Sequence, residues 1–267
     1  MAAPDRSEIA VAMARALGGE RPLSLEDLPF PAEALVLVLA PHPDDFDAVA
    51  VTLRFFRDRG NAIRLSVMSP SSSGVEDGFC FPPTRENKAL TREEEQRTSC
   101  RIFGLPGGRL EFLRLREDTS GHLLDCPENY AGLSLHLQEV RPDVVLMPHG
   151  NDTNAGHRAA FRMLRRFARQ ADRPVAVLLN RDPKTVEMKP DLFTVFGEED
   201  ARWKAGLLRC HLSQHQRNLN TRGFGLDERI LRVNREAAAL LPGHPRYAEV
   251  FEVWIPGSGE CQAGPEG

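Results

Sequence analysis

The sequence predicts an α/β fold, a Rossmann-like three-layer sandwich built on one mostly parallel sheet, and three observations carry that expectation. Ala34-Leu35-Val36-Leu37-Val38-Leu39-Ala40 is apolar without polar alternation, as a strand covered on both faces requires. Asp143-Val144-Val145-Leu146-Met147 repeats the pattern later in the chain. Between and after these runs, strand-like and helix-like patterns alternate, which favours parallel strands joined by right-handed crossovers.

The elements follow in order. An amphipathic helix is expected over residues 7–17, then a proline-containing connector to residue 33. After the first strand, Val49, Leu53 and Phe56 recur at helical spacing across residues 48–59, and Gly60 provides a stop. Residues 63–68 read as a strand, and Ser69-Pro70-Ser71-Ser72-Ser73-Gly74 as a loop. A long connection over 74–84 precedes a charged helix over 85–103, closed by Gly104. Long connections inside compact domains tend to serve function. A short strand over 109–113 and a helix over 127–140, with Pro127 in its first turn, lead to the second buried strand. Pro148-His149-Gly150 ends that strand, and a helix begins near His157. A strand over 175–179, a helix over 199–212 and a last strand over 247–255 complete the pattern.

With 267 residues, 41% of them hydrophobic and 27% charged, the chain suits one large domain better than two. The division expected is an N-terminal helix and connector over 1–33, a single catalytic-sized domain over 34–256 and a disordered tail over 257–267. A formal charge of -4 leaves no electrostatic footprint for nucleic acid, and the basic run from Arg162 to Arg169 reads as a solvated helix face. No apolar stretch nears the ~20 residues of a membrane span and no signal peptide is evident, so a cytoplasmic protein is expected. Cys80, Cys100, Cys126, Cys210 and Cys261 are odd in number and widely spaced, which points to free thiols rather than a disulfide framework.

The chemistry concentrates at two strand ends. Pro41-His42-Pro43-Asp44-Asp45-Phe46-Asp47 follows the first buried strand, and Asn151, Asp152, Thr153, Asn154, Gly156 and His157 follow the second. Ligands of open α/β sheets bind beyond the carboxyl ends of the strands. His42, Asp45 and His157 would give Zn²⁺ two imidazoles and one carboxylate with one position left for water, the pattern of a catalytic zinc. Asp44, adjacent to a ligand but free to point elsewhere, is the available base. The competing structural reading makes the first turn an Asx-type helix cap, His157 a helix-start histidine and Asp47 a helix-dipole partner. A serine hydrolase is disfavoured because no Gly-x-Ser-x-Gly is present, and a dinucleotide binder because no Gly-x-Gly-x-x-Gly follows the first strand.

Five stretches in order resemble the zinc-dependent N-acetylglucosamine deacetylases of the PIG-L/LmbE-like (GlcNAc-PI de-N-acetylase) family. They are His42-Pro43-Asp44-Asp45; Arg92-x-x-Glu95 with Gly104; Arg141-Pro142-Asp143-Val144-Val145 leading to His149, Asp152 and His157; Lys204 with His211-x-Ser213-Gln214; and Tyr247-Ala248-Glu249-x-Phe251. The resemblance covers about residues 34 to 255. It implies an LmbE-like fold, His42, Asp45 and His157 as zinc ligands, Asp44 as general base, and Arg92 facing the substrate's oxygens with Glu95 holding it. The implied reaction is hydrolysis of the N-acyl amide of a small-molecule amino sugar or glycoconjugate, with no nucleic-acid partner; a homo-oligomer is left open.

The chain departs from that pattern at several places. Phe46 stands where an acidic or small apolar residue is usual, and Ala48, Val49 and Ala50 where glycines are. Asn154 and Gly156 replace a His and an Asp that many members carry three and one residues before the last ligand. Asn154 can donate a neutral N–H bond to an oxyanion but cannot deliver a proton. Protonation of the leaving group would then fall to Asp44, with His149, Asp152 or His244 as helpers. A metal-binding pseudo-enzyme or sugar-binding protein without turnover is the alternative. Lys204, His211, Ser213 and Gln214 are expected to be structural, their helix bracing the third-motif loop, and Phe79, Phe81 and Pro82 to form an apolar lip or to pack their own loop.

Overall fold

The computed structural model describes residues 8–19, 21–28 and 30–256. The tail called disordered, Cys261 and the first residue of the expected leading helix lie outside them. A single eight-stranded sheet runs in the order β1-β7-β8-β6-β5-β2-β3-β4, with β1 Leu23–Ser24, β2 Leu35–Ala40, β3 Ala62–Val67, β4 Leu110–Phe112, β5 Val144–Pro148, β6 Ala176–Asn180, β7 Leu192–Phe196 and β8 Tyr247–Trp254. All neighbours pair in parallel except β8, which runs antiparallel to both β6 and β7.

Side chains alternate across each strand, and both faces are buried, as the unbroken apolar runs require. Val36, Val38, Val144, Leu146, Ala176 and Leu178 meet one helical layer: α1 (Glu8–Ala16), α2 (Ala50–Asp58), α3 (Arg85–Phe103) and α6 (Glu198–Arg209). Leu37, Leu39, Val145, Met147, Val177 and Leu179 meet the other: α4 (Pro127–Val140) and α5 (Ala155–Gln170). The three-layer expectation thus holds. The lead-in segment is more than a connector, because Leu25, Leu28 and Phe30 are buried in the first of these cores and β1 adds an edge strand beside β7.

Helix α3 starts at an N-cap, Thr84, whose hydroxyl accepts from the Asn87 N–H, and stops at Gly104, which takes a left-handed φ of 85°. The helix expected over 199–212 is α6, which ends at Arg209; an unexpected helix, α7 (Leu212–Arg222), starts after His211. Helix α8 (Leu226–Ala238) was likewise not expected. Among the described residues no helix is long and apolar enough to cross a membrane.

From β2 the chain moves outward through β3 to β4, then returns to the opposite side of β2 as β5. The strand order therefore reverses between β2 and β5. A crevice opens beyond the carboxyl ends of two strands at such a switch point.

Candidate metal centre and catalytic cleft

Both polar clusters sit at that switch point, one after β2 and one after β5. His42, Asp45 and His157 converge, each offering a ligand atom within 4.8 Å of the others. His157 Nε2 lies 3.2 Å from His42 Nδ1 and 3.7 Å from Asp45 Oδ1, and His42 Nδ1 lies 3.5 Å from Asp45 Oδ2. All three are buried. Asp152 Oδ2 accepts a hydrogen bond from His157 Nδ1 at 3.0 Å, which places the proton on Nδ1 and turns the Nε2 lone pair toward His42 and Asp45. Two imidazole nitrogens and a carboxylate oxygen facing one point suit a borderline divalent ion such as zinc.

By itself the cluster balances its own charge, with a second proton on His157 that a bound cation would displace. Burial pushes the Asp45 carboxyl up, but the His157 charge and the hydrogen bonds from His42 outweigh it and hold the group below its usual range. Burial pushes His157 down, yet Asp45 and the hydrogen bond to Asp152 carry it to about 9. Each charge in the cluster is thus stabilised by the others.

Asp44 adopts φ 103°, a region L-residues rarely enter. Helix α3 holds it there. Gln96 Oε1 accepts from the Asp44 N–H at 3.1 Å; Arg92 Nη2 donates to Pro43 O at 2.5 Å and to Asp44 Oδ1 at 3.2 Å, while Nη1 donates to Ser71 O. The twisted backbone separates the Asp44 carboxylate from the Asp45 carboxylate, so that two adjacent residues serve different partners. Arg92 lines the cleft but is only 2% exposed, with its donors directed to the motif loop. Glu95, expected to hold Arg92, instead accepts from the N–H and hydroxyl of Ser213 at 2.6 and 2.7 Å.

Behind the loop, a buried polar chain continues. Asp47, at the start of a 3₁₀ turn, accepts from Ser99 Oγ at 2.5 Å and from His211 Nε2 at 2.6 Å. Lys204 Nζ donates to Ala48 O, Asn234 Oδ1 and Glu249 Oε1, and Glu249 accepts from the Val51 and Thr52 N–H groups. Gln214 donates to Gly74 O at 2.9 Å. These residues brace the loops after β2 and β3 rather than the third-motif loop after β5 that they were expected to support.

Asn154 caps α5: its Oδ1 accepts from the Gly156 N–H at 2.9 Å, while the residue itself lines the cleft. Gly156 lets the helix approach the metal cluster closely, since a Cβ there would stand 2.8 Å from His42 Nε2. The helpers considered for leaving-group protonation are displaced from the cleft. His149 is buried against Glu252 at 3.3 Å, His244 is exposed near the start of β8, and Asp152 is committed to His157.

The cleft encloses about 190 Å³. Its base holds His42, Asp44, Asp45 and His157, with Asp182 and Lys184 entering from the loop after β6. Its outer wall is the α7–α8 pair. Asp182, with Asp152 and His157, forms a second group of closely placed ligand atoms, and burial raises its pKa, opposed by the His157 charge. Sequence reasoning missed Asp182, although its position just beyond a buried strand is the same signal that singled out His42.

The chain matches the family described as GlcNAc-PI de-N-acetylase (PIG-L) over residues 37–168. No curated relative matches it by sequence. Among solved structures it is similar to the N,N'-diacetylchitobiose deacetylase of Pyrococcus horikoshii, with TM-score 0.70, 17% identity and 95% of each chain covered. It is also similar to a zinc-inhibited form of a teicoplanin deacetylase, with TM-score 0.64, 16% identity, and 84% of this chain and 100% of that one covered. A 4-carboxy-2-hydroxymuconate hydratase from Pseudomonas putida shares the fold at TM-score 0.63 and 18% identity, covering 85% of this chain and 98% of that one. Identities this low establish the fold; the family rests on the match that spans both strand-end clusters. Residues 37–168, which contain His42, Asp45 and His157, belong to the PIG-L family of de-N-acetylases.

Proposed function

We propose that this chain is a metal-dependent N-deacetylase acting on the N-acyl amide of an amino sugar or sugar conjugate, with zinc as the metal. The observation that carries the reading is the convergence of His42, Asp45 and His157 beside an Asp44 held in a strained conformation by α3. A divalent ion on the first three residues would acidify a water molecule and polarise the amide carbonyl.

The chain's own residues supply the rest. Asp44 takes the proton of the attacking water, and its carboxyl, now protonated, passes that proton to the departing amine as the C–N bond breaks. Arg92 keeps the carboxylate oriented through its contact with Oδ1. Asn154, whose Oδ1 caps α5, keeps its amide N–H groups for the oxyanion that develops on the carbonyl oxygen. Asp152 fixes the imidazole of His157 in the tautomer that ligation needs.

The test is metal analysis together with acetate release from a panel of N-acetylglucosaminides, using parent and Asp44→Asn protein. Zinc near one per chain, release by the parent and loss of release in the variant are expected. Stoichiometric metal with no release from any member of the panel would favour the metal-binding alternative without turnover.

A further inference from the structure

The outer wall of the cleft carries three cations, Arg217, Arg222 and Arg229, and Lys184 stands opposite them, all four beyond the stretch that matches the family. Arg229 stands between Leu226 and Ile230 on the first turns of α8 and is half-buried. Among the described residues no side chain hydrogen-bonds or ion-pairs with the guanidinium of Arg229 or Arg217, or with the ammonium of Lys184. The nearby acids are engaged elsewhere. Asp227 binds Arg209 at 2.7 Å and lies 3.4 Å from His215, while Glu228 binds Arg232 and Arg235 at 2.9 and 2.8 Å. Lys184 faces this wall from the loop that Thr153 N–H ties down at Lys184 O, one residue from Asn154.

A half-buried guanidinium with no protein partner, in a cleft wall, keeps its donors open to the oxygens of a ligand. Burial acts most strongly against its charge, the Asp182 carboxylate across the cleft acts for it and the neighbouring Arg222 against it, and no carboxylate closes a hydrogen bond or ion pair with it among the described residues. Arginine's planar fork suits carboxylate and phosphate oxygens. Resting on the amide-hydrolysis reading above, we infer that the substrate carries an anionic group, carboxylate or phosphate, on the far side of its amino sugar, and that Arg229, supported by Arg222 and Lys184, receives it. The cleft then has two chemically distinct ends, one that breaks the amide and one that selects a charged aglycone.

The experiment compares three N-acetylglucosaminides that differ only in the aglycone: methyl, carboxymethyl and phosphoethyl. Zinc-loaded parent enzyme should show kcat/KM at least about tenfold higher on one or both anionic members, through KM, and the preference should weaken as salt rises. The stronger of the two anionic members identifies the group. In Arg229→Gln, and separately in Arg222→Gln, the anionic-to-neutral ratio should fall toward one, while Arg232→Gln, which removes a charge from the same helix outside the cleft, should keep the parent ratio. Equal or better use of the methyl glycoside by the parent, or an unchanged ratio in both cleft variants, overturns the inference. If none of the three releases acetate, the amide-hydrolysis reading fails by itself. The anion site is then judged by direct titration of the same three glycosides, where an unchanged affinity across them overturns it and a preference lost in Arg229→Gln upholds it.

Discussion

Gly156→Ala is the substitution on which the geometry speaks most directly. A Cβ at this position would stand 2.8 Å from His42 Nε2, 3.2 Å from Cε1 and 3.3 Å from Asn154 Oδ1, whereas ordinary contact begins at 3.4 Å. The imidazole must therefore retreat by roughly 0.6 Å, several times the ~0.2 Å tolerance of metal–ligand distances. Retreat is not free on the other side, because His42 Nδ1 already sits 3.2 Å from His157 Nε2 and 3.5 Å from Asp45 Oδ2. Displacing a ligand through its supporting contacts lowers metal affinity about 10- to 100-fold, or ~1.4–2.7 kcal/mol. Alanine is meanwhile the better helix residue by about 1 kcal/mol, so the metal-free protein should be no less stable than the parent. Competition against a chromophoric chelator measures the first quantity and thermal melting of the metal-free protein the second. Zinc affinity within twofold of the parent would refute the reasoning, since it would mean that His42 is not a ligand or that its ring moves without consequence.

Three further outcomes follow from the same geometry. Asp44→Asn should lower kcat about 10²- to 10⁴-fold while metal content stays at the parent value, as general-base loss predicts; acetate release and elemental analysis read the two separately. Lys204→Met should destabilise the fold by about 3–5 kcal/mol, visible as a lower urea midpoint, because Glu249 is left buried without its cation. His211 is buried, which lowers its pKa, but the hydrogen bond to Asp47 raises it by more, so its folded value lies above the ordinary value near 6.5. A raised folded pKa makes the stabilisation complete below about pH 6.5 and lost as pH climbs through the folded value. The stability gap between parent and His211→Gln, measured by urea unfolding, should therefore narrow from neutral toward alkaline pH, and a constant gap would show that His211 does not carry the charge.

The parts of the fold that were legible are those where local pattern and tertiary role agree. β2 and β5 announce themselves because strands buried on both faces need no polar residues, and α3 and α4 keep their expected limits because Thr84, Gly104 and Pro127 punctuate them. His42, Asp45 and His157 were readable from their places at strand ends. Other features depend on distant partners. The break between α6 and α7 carries neither glycine nor proline; His211 leaves helical geometry (ψ 65°) where its ring binds Asp47. β1 is two residues long and exists because β7 lies beside it. Helix α8 could have been found, since Leu226, Ile230, Val233 and Ala237 are buried at helical spacing. Missing it concealed the outer wall of the cleft. Arg92 illustrates the converse: its motif position suggested a residue facing the substrate's oxygens, whereas the packing turns its guanidinium to the motif loop.

The polar interior of α3 explains how the strained motif persists. A non-glycine residue at a sparsely populated φ costs of order 1–3 kcal/mol, and a net hydrogen bond contributes about 1 kcal/mol, more when a charged group takes part. Gln96 on the Asp44 N–H together with Arg92 on Pro43 O and Asp44 Oδ1 is therefore of the right size to offset the strain at Asp44. Arg92, Gln96 and Ser99 fall on one face of the helix, at spacings of four and three, and none points to solvent. Apolar residues on that face would pack as well but would leave the Asp44 N–H buried without a partner and the Asp47 carboxylate with His211 alone, a larger cost than any gain in packing. The same face also joins the motif loop, through Asp47, to His211 and hence to α7, the wall that carries Arg217 and Arg222. Asp44 and the α7 wall of the cleft are thus positioned by one buried network. A change that loosened α7 would be felt at Asp44 as well as at the cleft mouth.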